Sequence, residues 1–185
     1  IDTNAEFLIT VTWPDEHPDD IDTYVEDPAG NLVWYHGREA GLMHLDRDDR
    51  GNYRDTIVIN GEPITNPLNQ ETVSVRGVVA GEYVVNIFHY AATTAEQVPV
   101  TVKVEKLNPI VTVLYYDTIQ LDHTGQEETA VRFVIRNDGT IVDVNTREKS
   151  LVKLSRKGPT IPQDPDLSPN HPDGASSGRG IVLER

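Results

Sequence analysis

The sequence predicts an all-β protein, an antiparallel β-sandwich of jelly-roll-like type with a proline-rich flexible tail at its C-terminal end. Three observations carry that prediction. About ten short runs alternate apolar and polar residues with a period of two. Gly, Pro, Asn and Asp punctuate them at the intervals expected of hairpins and crossovers. No stretch shows a long 3.6-residue apolar period, and at most a turn of helix fits near 91–96 or 145–150.

Residues 6–13 (EFLITVTW) form the first strand, with Phe7, Ile9, Val11 and Trp13 on one face and Thr10 and Thr12 on the other. Residues 14–19 hold two prolines among charges and read as a loop. Residues 21–26 set Ile21, Thr23 and Val25 against Asp22, Tyr24 and Glu26. Asp27-Pro28-Ala29-Gly30 then has the residue order of a type I turn, and 31–35 return as the second arm of a hairpin. Residues 36–55 read mostly as loop around a short apolar piece at 42–45. A strand at 55–60 precedes a turn-rich insertion at 61–70, and another strand follows at 71–79. Residues 83–90 (YVVNIFHY) are apolar enough on both faces for a central strand. Val98, Val100, Val102 and Val104 alternate with polar residues, and Pro99 suits an edge or a strand start.

After Asn108-Pro109, residues 110–122 predict one long bent strand or two. Residues 129–136 and 140–144 flank Asn137-Asp138-Gly139, a strong hairpin signal. A last short strand is expected at 151–154. Residues 1–157 are thus read as one sandwich, with 107–157 either further strands of it or an added β subdomain. Residues 158–185 bring recurrent proline and little apolar material, the composition of an extended or disordered arm that orders only against a partner.

Composition narrows function. The net charge of −14, from 30 acidic against 16 basic residues, repels nucleic acid and suits cation binding or a basic partner. The absence of cysteine removes disulfides, thiolate metal sites and a cysteine nucleophile. No apolar run approaches the roughly 20 residues that span a bilayer. The chain begins at Ile1 rather than Met, which leads to the expectation of a lost signal peptide or upstream membrane anchor, and of a periplasmic or secreted location.

The candidate chemistry centres on carboxylates. Asp20 and Asp22 lie two apart, so an extended strand points both from one face, and two like charges held together invite a cation. Ca²⁺ takes six to eight oxygen ligands, and Asp46, Asp48 and Asp49 could add to the pair from a later loop. Residues 46–51 resemble an EF-hand loop only superficially, because Arg50 and Ile57 stand at ligand positions. The plainer reading is that these aspartates form turns and solvated surface, Asp27 above all. The six histidines (His17, His36, His44, His89, His123 and His171) lack the spacing of a zinc site, and His89 reads as a hydrogen-bonded residue within an apolar strand. A hydrolase using the paired carboxylates as acid and base is a weaker alternative, since no nucleophile elbow accompanies them. Carbohydrate recognition through Trp13, Trp34, Tyr24, Tyr35, Tyr53 and Tyr90 is another, although strand periodicity turns both tryptophans towards the core.

Residues 20–30 (DIDTYVEDPAG) resemble the D-[VI]-D-L-x-V-x-D-P-x-G signature of the YfaP-like family of bacterial β-sandwich proteins. Tyr35, Gly41 with Leu45-Asp46, and Gly81-x-Tyr83-x-Val85 ending in Tyr90 extend the likeness over roughly residues 5–105. Two departures stand out: Thr23 replaces the usual leucine, and Asn52-Tyr53-Arg54-Asp55 replaces a glycine-proline-glutamate. The resemblance implies a non-catalytic sandwich associated with secreted or envelope proteins. The function expected is therefore a non-enzymatic binding or structural module outside the cytoplasm, stabilised by calcium, with a protein or glycan partner.

Overall fold

A computed structural model describes residues 4–15, 17–47, 49, 56–65 and 68–157 of the chain. Thirteen strands precede one short helix among them. In chain order these are β1 (Phe7–Thr12), β2 (Asp20–Glu26), β3 (Leu32–Val33), β4 (Glu39–Ala40), β5 (Met43–Arg47), β6 (Thr56–Ile59) and β7 (Glu62–Thr65). There follow β8 (Gln70–Val75), β9 (Gly81–Ala91), β10 (Val98–Lys106), β11 (Thr112–Leu121), β12 (Glu127–Ile135), β13 (Ile141–Asn145) and α1 (Val152–Lys157).

Two antiparallel sheets pack as a sandwich. The six-stranded sheet runs β11-β10-β1-β8-β5-β4 and the five-stranded sheet β13-β12-β9-β2-β3, with β6 and β7 a separate hairpin. The chain crosses repeatedly between layers, so neighbours within a sheet are mostly distant in sequence. β11 pairs with β10, and β12 pairs with β9, so the last strands extend the same two sheets. Period-two alternation explains the core: Phe7, Ile9 and Val11 of β1 face Val85 and Ile87 of β9, along with the four alternating valines of β10. At roughly 25 cal/mol per Å² of apolar surface, this interior is the main stabilising term.

Several predicted elements change. Residues 36–55 are not wholly loop, because Met43 and Leu45 face the core and carry β5 onto β8. The second arm of the first hairpin is only two residues long, and Trp34 leaves it to make an isolated bridge with Gly37. The insertion at 61–70 contains an ordered arm, since Asn60 and Gly61 (φ 54° and 86°) turn β6 back as β7. Residues 110–122 give one strand with a bulge where Val104/Glu105 meet Tyr115/Val113. The strand expected at 151–154 is helix α1 instead. Glu127 Oε1 accepts the amides of Leu151 (2.6 Å) and Val152 (3.0 Å), and Ser150 Oγ accepts that of Lys153 (3.2 Å). Those acceptors satisfy the exposed amides of a helix start. The tail expected at 158–185 lies outside the described residues.

Candidate functional site

The residues of the family-like motif converge on one turn. Asp27 Oδ1 accepts the amides of Ala29 and Asn31, both at 2.9 Å, and Oδ2 accepts the Asn31 side-chain amide at 2.8 Å. Asp27 is thus the turn former that the sequence suggested. Gly41 (φ +58°) passes so close that a Cβ there would lie 2.7 Å from Asp27 Oδ2. Gly81 (φ +131°) lies against Pro28, 2.5 Å from where its own Cβ would be. Much of the motif therefore serves to lock the β2–β3 turn against β9 and the start of β5.

Asp20 and Asp22 do share a face, the outer one of the five-stranded sheet, with Asp20 half-buried and Asp22 3% exposed. Asp46 leaves β5 on the outer side of the six-stranded sheet, 3.4 Å from His44 Nε2. The sandwich therefore separates it from Asp20 and Asp22. Asp49 is buried; its amide donates to Glu71 Oε1 at 3.3 Å and its Oδ2 accepts from the Gln70 amide at 3.2 Å. Asp48 lies outside the described residues. Among the described residues no group of three or more carboxylates or imidazoles gathers at metal-binding range.

Two buried carboxylates were missed by sequence reasoning. Glu71 is wholly buried, in phase with the core residues Val73 and Val75. Its Oε2 accepts the Thr23 amide at 2.7 Å, at an edge of β2 that β3 is too short to reach. A side chain there substitutes for a missing strand. Asp19 is also wholly buried and lies 2.9 Å from His89 Nε2. Its Oδ1 accepts the Thr93 amide and hydroxyl, each at 2.8 Å. Burial opposes ionisation of Asp19, but these hydrogen bonds outweigh it and hold the carboxyl below its ordinary pKa. Burial dominates at His89 and pushes its pKa down, so the neutral imidazole is favoured. This pair ties the 92–97 loop to the entrance of β2, and it is enclosed from any substrate.

The aromatic residues divide. Trp13 is buried in the sandwich core, as its strand phase predicted, whereas Trp34, also buried, lies beyond the end of β3 and packs on the outer face of the five-stranded sheet instead. Tyr24 stacks on Trp34 (5.7 Å, 24°) and meets Phe88 edge-on (6.2 Å). With Val84, Leu151 and Val152 they form a second apolar cluster covering the outer face of the five-stranded sheet. Tyr53 lies outside the described residues.

The opposite outer face is different. Register places Gln70, Thr12, Thr101 and Thr118 in one cross-strand row and Thr72, Thr10, Lys103 and Tyr116 in the next. Ser74, Leu8 and Glu105 continue into a third. The residues of these rows other than Thr72, Ser74 and Thr118 line a half-open depression of about 470 Å³, with Leu8 (9% exposed) its most buried member and Tyr116 (67% exposed) its most open. Lys103 Nζ lies 3.1 Å from Glu105 Oε2, and the Thr101 and Thr118 hydroxyls are 2.9 Å apart. The surface offers hydroxyls, an amide, a compensated ion pair and one exposed ring. Sequence alternation marked Thr10 and Thr12 as solvent-facing, but only register brings them beside Lys103 and Tyr116.

Comparison with protein-family models, curated proteins and solved structures finds no match to this chain. The likeness to the YfaP-like family rests on its motif residues alone.

Proposed function

We propose that the chain is a non-enzymatic binding module acting outside the cytoplasm, and that the outer face of the six-stranded sheet is its recognition surface. The observation that carries this reading is a difference between the outer faces: an apolar cluster and the 149–152 return cover much of one, leaving a depression of about 300 Å³ beside Asn86, Glu127 and Thr129, while the other holds a depression of about 470 Å³ with an exposed tyrosine at its rim. Large exposed aromatics beside buried apolar floor and satisfied polar groups are the composition of binding surfaces. The burial of Asp22 and the enclosure of Asp19 and His89 favour binding over hydrolysis, since a general acid and base must reach a substrate. Calcium enters as a stabiliser held at Asp20 and Asp22, remote from the recognition face.

The test is retention of the labelled chain on a bacterial cell-envelope fraction. Thr10→Glu/Thr101→Glu, which places two charges in the depression, is expected to abolish retention while leaving the melting temperature within about 2 °C, as surface substitutions do. Equal retention of this variant and the parent chain refutes the assignment of the face.

A further inference from the structure

The same face carries information about what it holds. Resting on the assignment just made, we infer that its ligand is an uncharged, polyhydroxylated glycan chain, seated with a sugar ring over Tyr116.

The donor and acceptor inventory points there. Sugars present one weakly apolar C–H face and a ring of hydroxyls, each both donor and acceptor. Tyr116 offers an open ring face for the first, and Leu8, two strands away on β1, adds an apolar patch to the same depression. Gln70 supplies a carbonyl and an amide, Thr10, Thr12 and Thr101 supply hydroxyls, and Lys103 with Glu105 supply charged donors and acceptors. Sugar hydroxyls can bond to either member of that pair, and hydrogen bonds to charged groups are roughly twice as strong as neutral ones. These groups stand on strands about 4.8 Å apart, with same-face neighbours along a strand about 6.7 Å apart. The polar contacts are therefore spread over several sugar units rather than converging on a single one.

Charge selects the class. Lys103 and Glu105 neutralise each other within the depression. The whole chain carries −14, so a polymer bearing uronate, sulfate or phosphate groups meets a repulsive field. A peptide strand is a poorer fit to the depression itself, because its lining is rich in hydroxyls and supplies a single apolar residue, where strand-binding grooves add apolar side-chain pockets to a free edge such as that of β11.

The inference is tested by calorimetric titration of the full chain with cellohexaose, xylohexaose and mannohexaose, and with polygalacturonate as the anionic counterpart. At least one neutral hexaose is expected to saturate at micromolar to millimolar concentration, and the anionic polymer to bind at least tenfold more weakly. Tyr116→Ala should weaken the neutral ligand at least tenfold, and Tyr116→Phe should restore it, which a loss of folding could not do. Periodate treatment of the envelope fraction should abolish retention, and protease treatment should spare it. If retention depends on Thr10 and Thr101 but survives periodate and is lost to protease, the face is a recognition surface for a protein and the glycan inference is wrong. Preference for the anionic polymer, or affinity unchanged in Tyr116→Ala, overturns it equally.

Discussion

The two outer faces of this sandwich are built from the same alternating strands and come to opposite ends. On the five-stranded sheet the outward positions of β2 and β9 hold Tyr24, Val84 and Phe88, and the chain returns at 149–152 to cover them. That return is anchored by Glu127, which accepts from the side chains of Asn86 (2.7 Å) and Ser150 (2.6 Å) as well as from the start of α1. On the six-stranded sheet the outward positions of β1 and β10 hold Thr10, Thr12, Thr101 and Lys103, which stay partly open to solvent, while Thr72 and Ser74 of β8 are buried and bonded to Gln70 and His44. Covering a face uses it up for stability. Leaving it bare with one exposed tyrosine keeps it available for a ligand.

The comparison predicts a large difference between two aromatic truncations. Trp34→Ala removes the centre of the covered face, where the indole packs on Tyr24 and meets Tyr35 at 5.0 Å. Its expected cost is about 3–5 kcal/mol, the range for large aromatics deleted from cores. At about 2–4 °C per kcal/mol for a domain of this size, thermal denaturation should fall by roughly 10 °C. Tyr116→Ala on the bare face should change stability by less than about 0.5 kcal/mol. Comparable losses from the two would dissolve the distinction between a structural and a functional face.

Acid acts on the interior that both faces share. His89 has a folded-state pKa below its unfolded value of about 6.5, so below that pH the unfolded chain takes up a proton that the native pair resists. Stability from His89 is complete above about pH 6.5 and declines as pH falls below it. Asp19, also lowered, contributes stability above its unfolded pKa of about 3.9 and loses it as pH falls through the folded value. The melting temperature is expected to drop by several degrees between pH 7.5 and 5. His89→Gln should flatten that part of the curve, because a glutamine amide can donate to Asp19 without titrating. A parent curve already flat across this window would show that the pair does not couple folding to pH.

How much of this was legible in the sequence follows from the range of each interaction. Period-two alternation places the side chains of β1, β2, β9 and β10 directly, which is why the sandwich and most strand positions could be read. The Asp-Gly signal at 138–139 does close the β12–β13 hairpin, with the Gly139 amide on the Arg136 carbonyl at 2.9 Å. α1 was missed because Leu151-Val152-x-Leu154 has no decisive period, and its first amides are taken by a carboxylate 24 residues away. β5 was missed because Met43 and Leu45 alternate correctly but stand among charges. Glu71 left a readable trace, a carboxylate in phase with Val73 and Val75, and so did His89, a hydrogen-bonded residue in an apolar strand, whereas its partner Asp19, 70 residues away, left none. Which of the aspartates come together was not legible for a related reason: Glu71 joins the Thr23 and Asp49 amides across the layers while Asp46 lies beside His44, and proximity in sequence says nothing about which sheet a strand will join.

The smallest expected effect concerns what remains of that cluster. Asp20 and Asp22 stand side by side on the covered face, and calcium bound there would act on stability without touching the recognition surface. Extracellular modules bind calcium with dissociation constants of about 0.1–1 mM. At the weak end, 5 mM calcium would stabilise the native state by about 1 kcal/mol, since the gain grows as RT ln(1 + [L]/Kd). That corresponds to a rise of about 2–4 °C over a chelator-treated sample. Asp22→Asn should remove the rise, and Asp46→Asn should leave it intact, because Asp46 faces outward from the other sheet. Magnesium at the same concentration separates site binding from general screening of the −14 charge, which either ion would provide. Equal shifts with both ions would remove calcium from the account and leave the two carboxylates as part of the packing of the covered face, and a shift that Asp46→Asn abolishes would move the calcium site from Asp20 and Asp22 to Asp46.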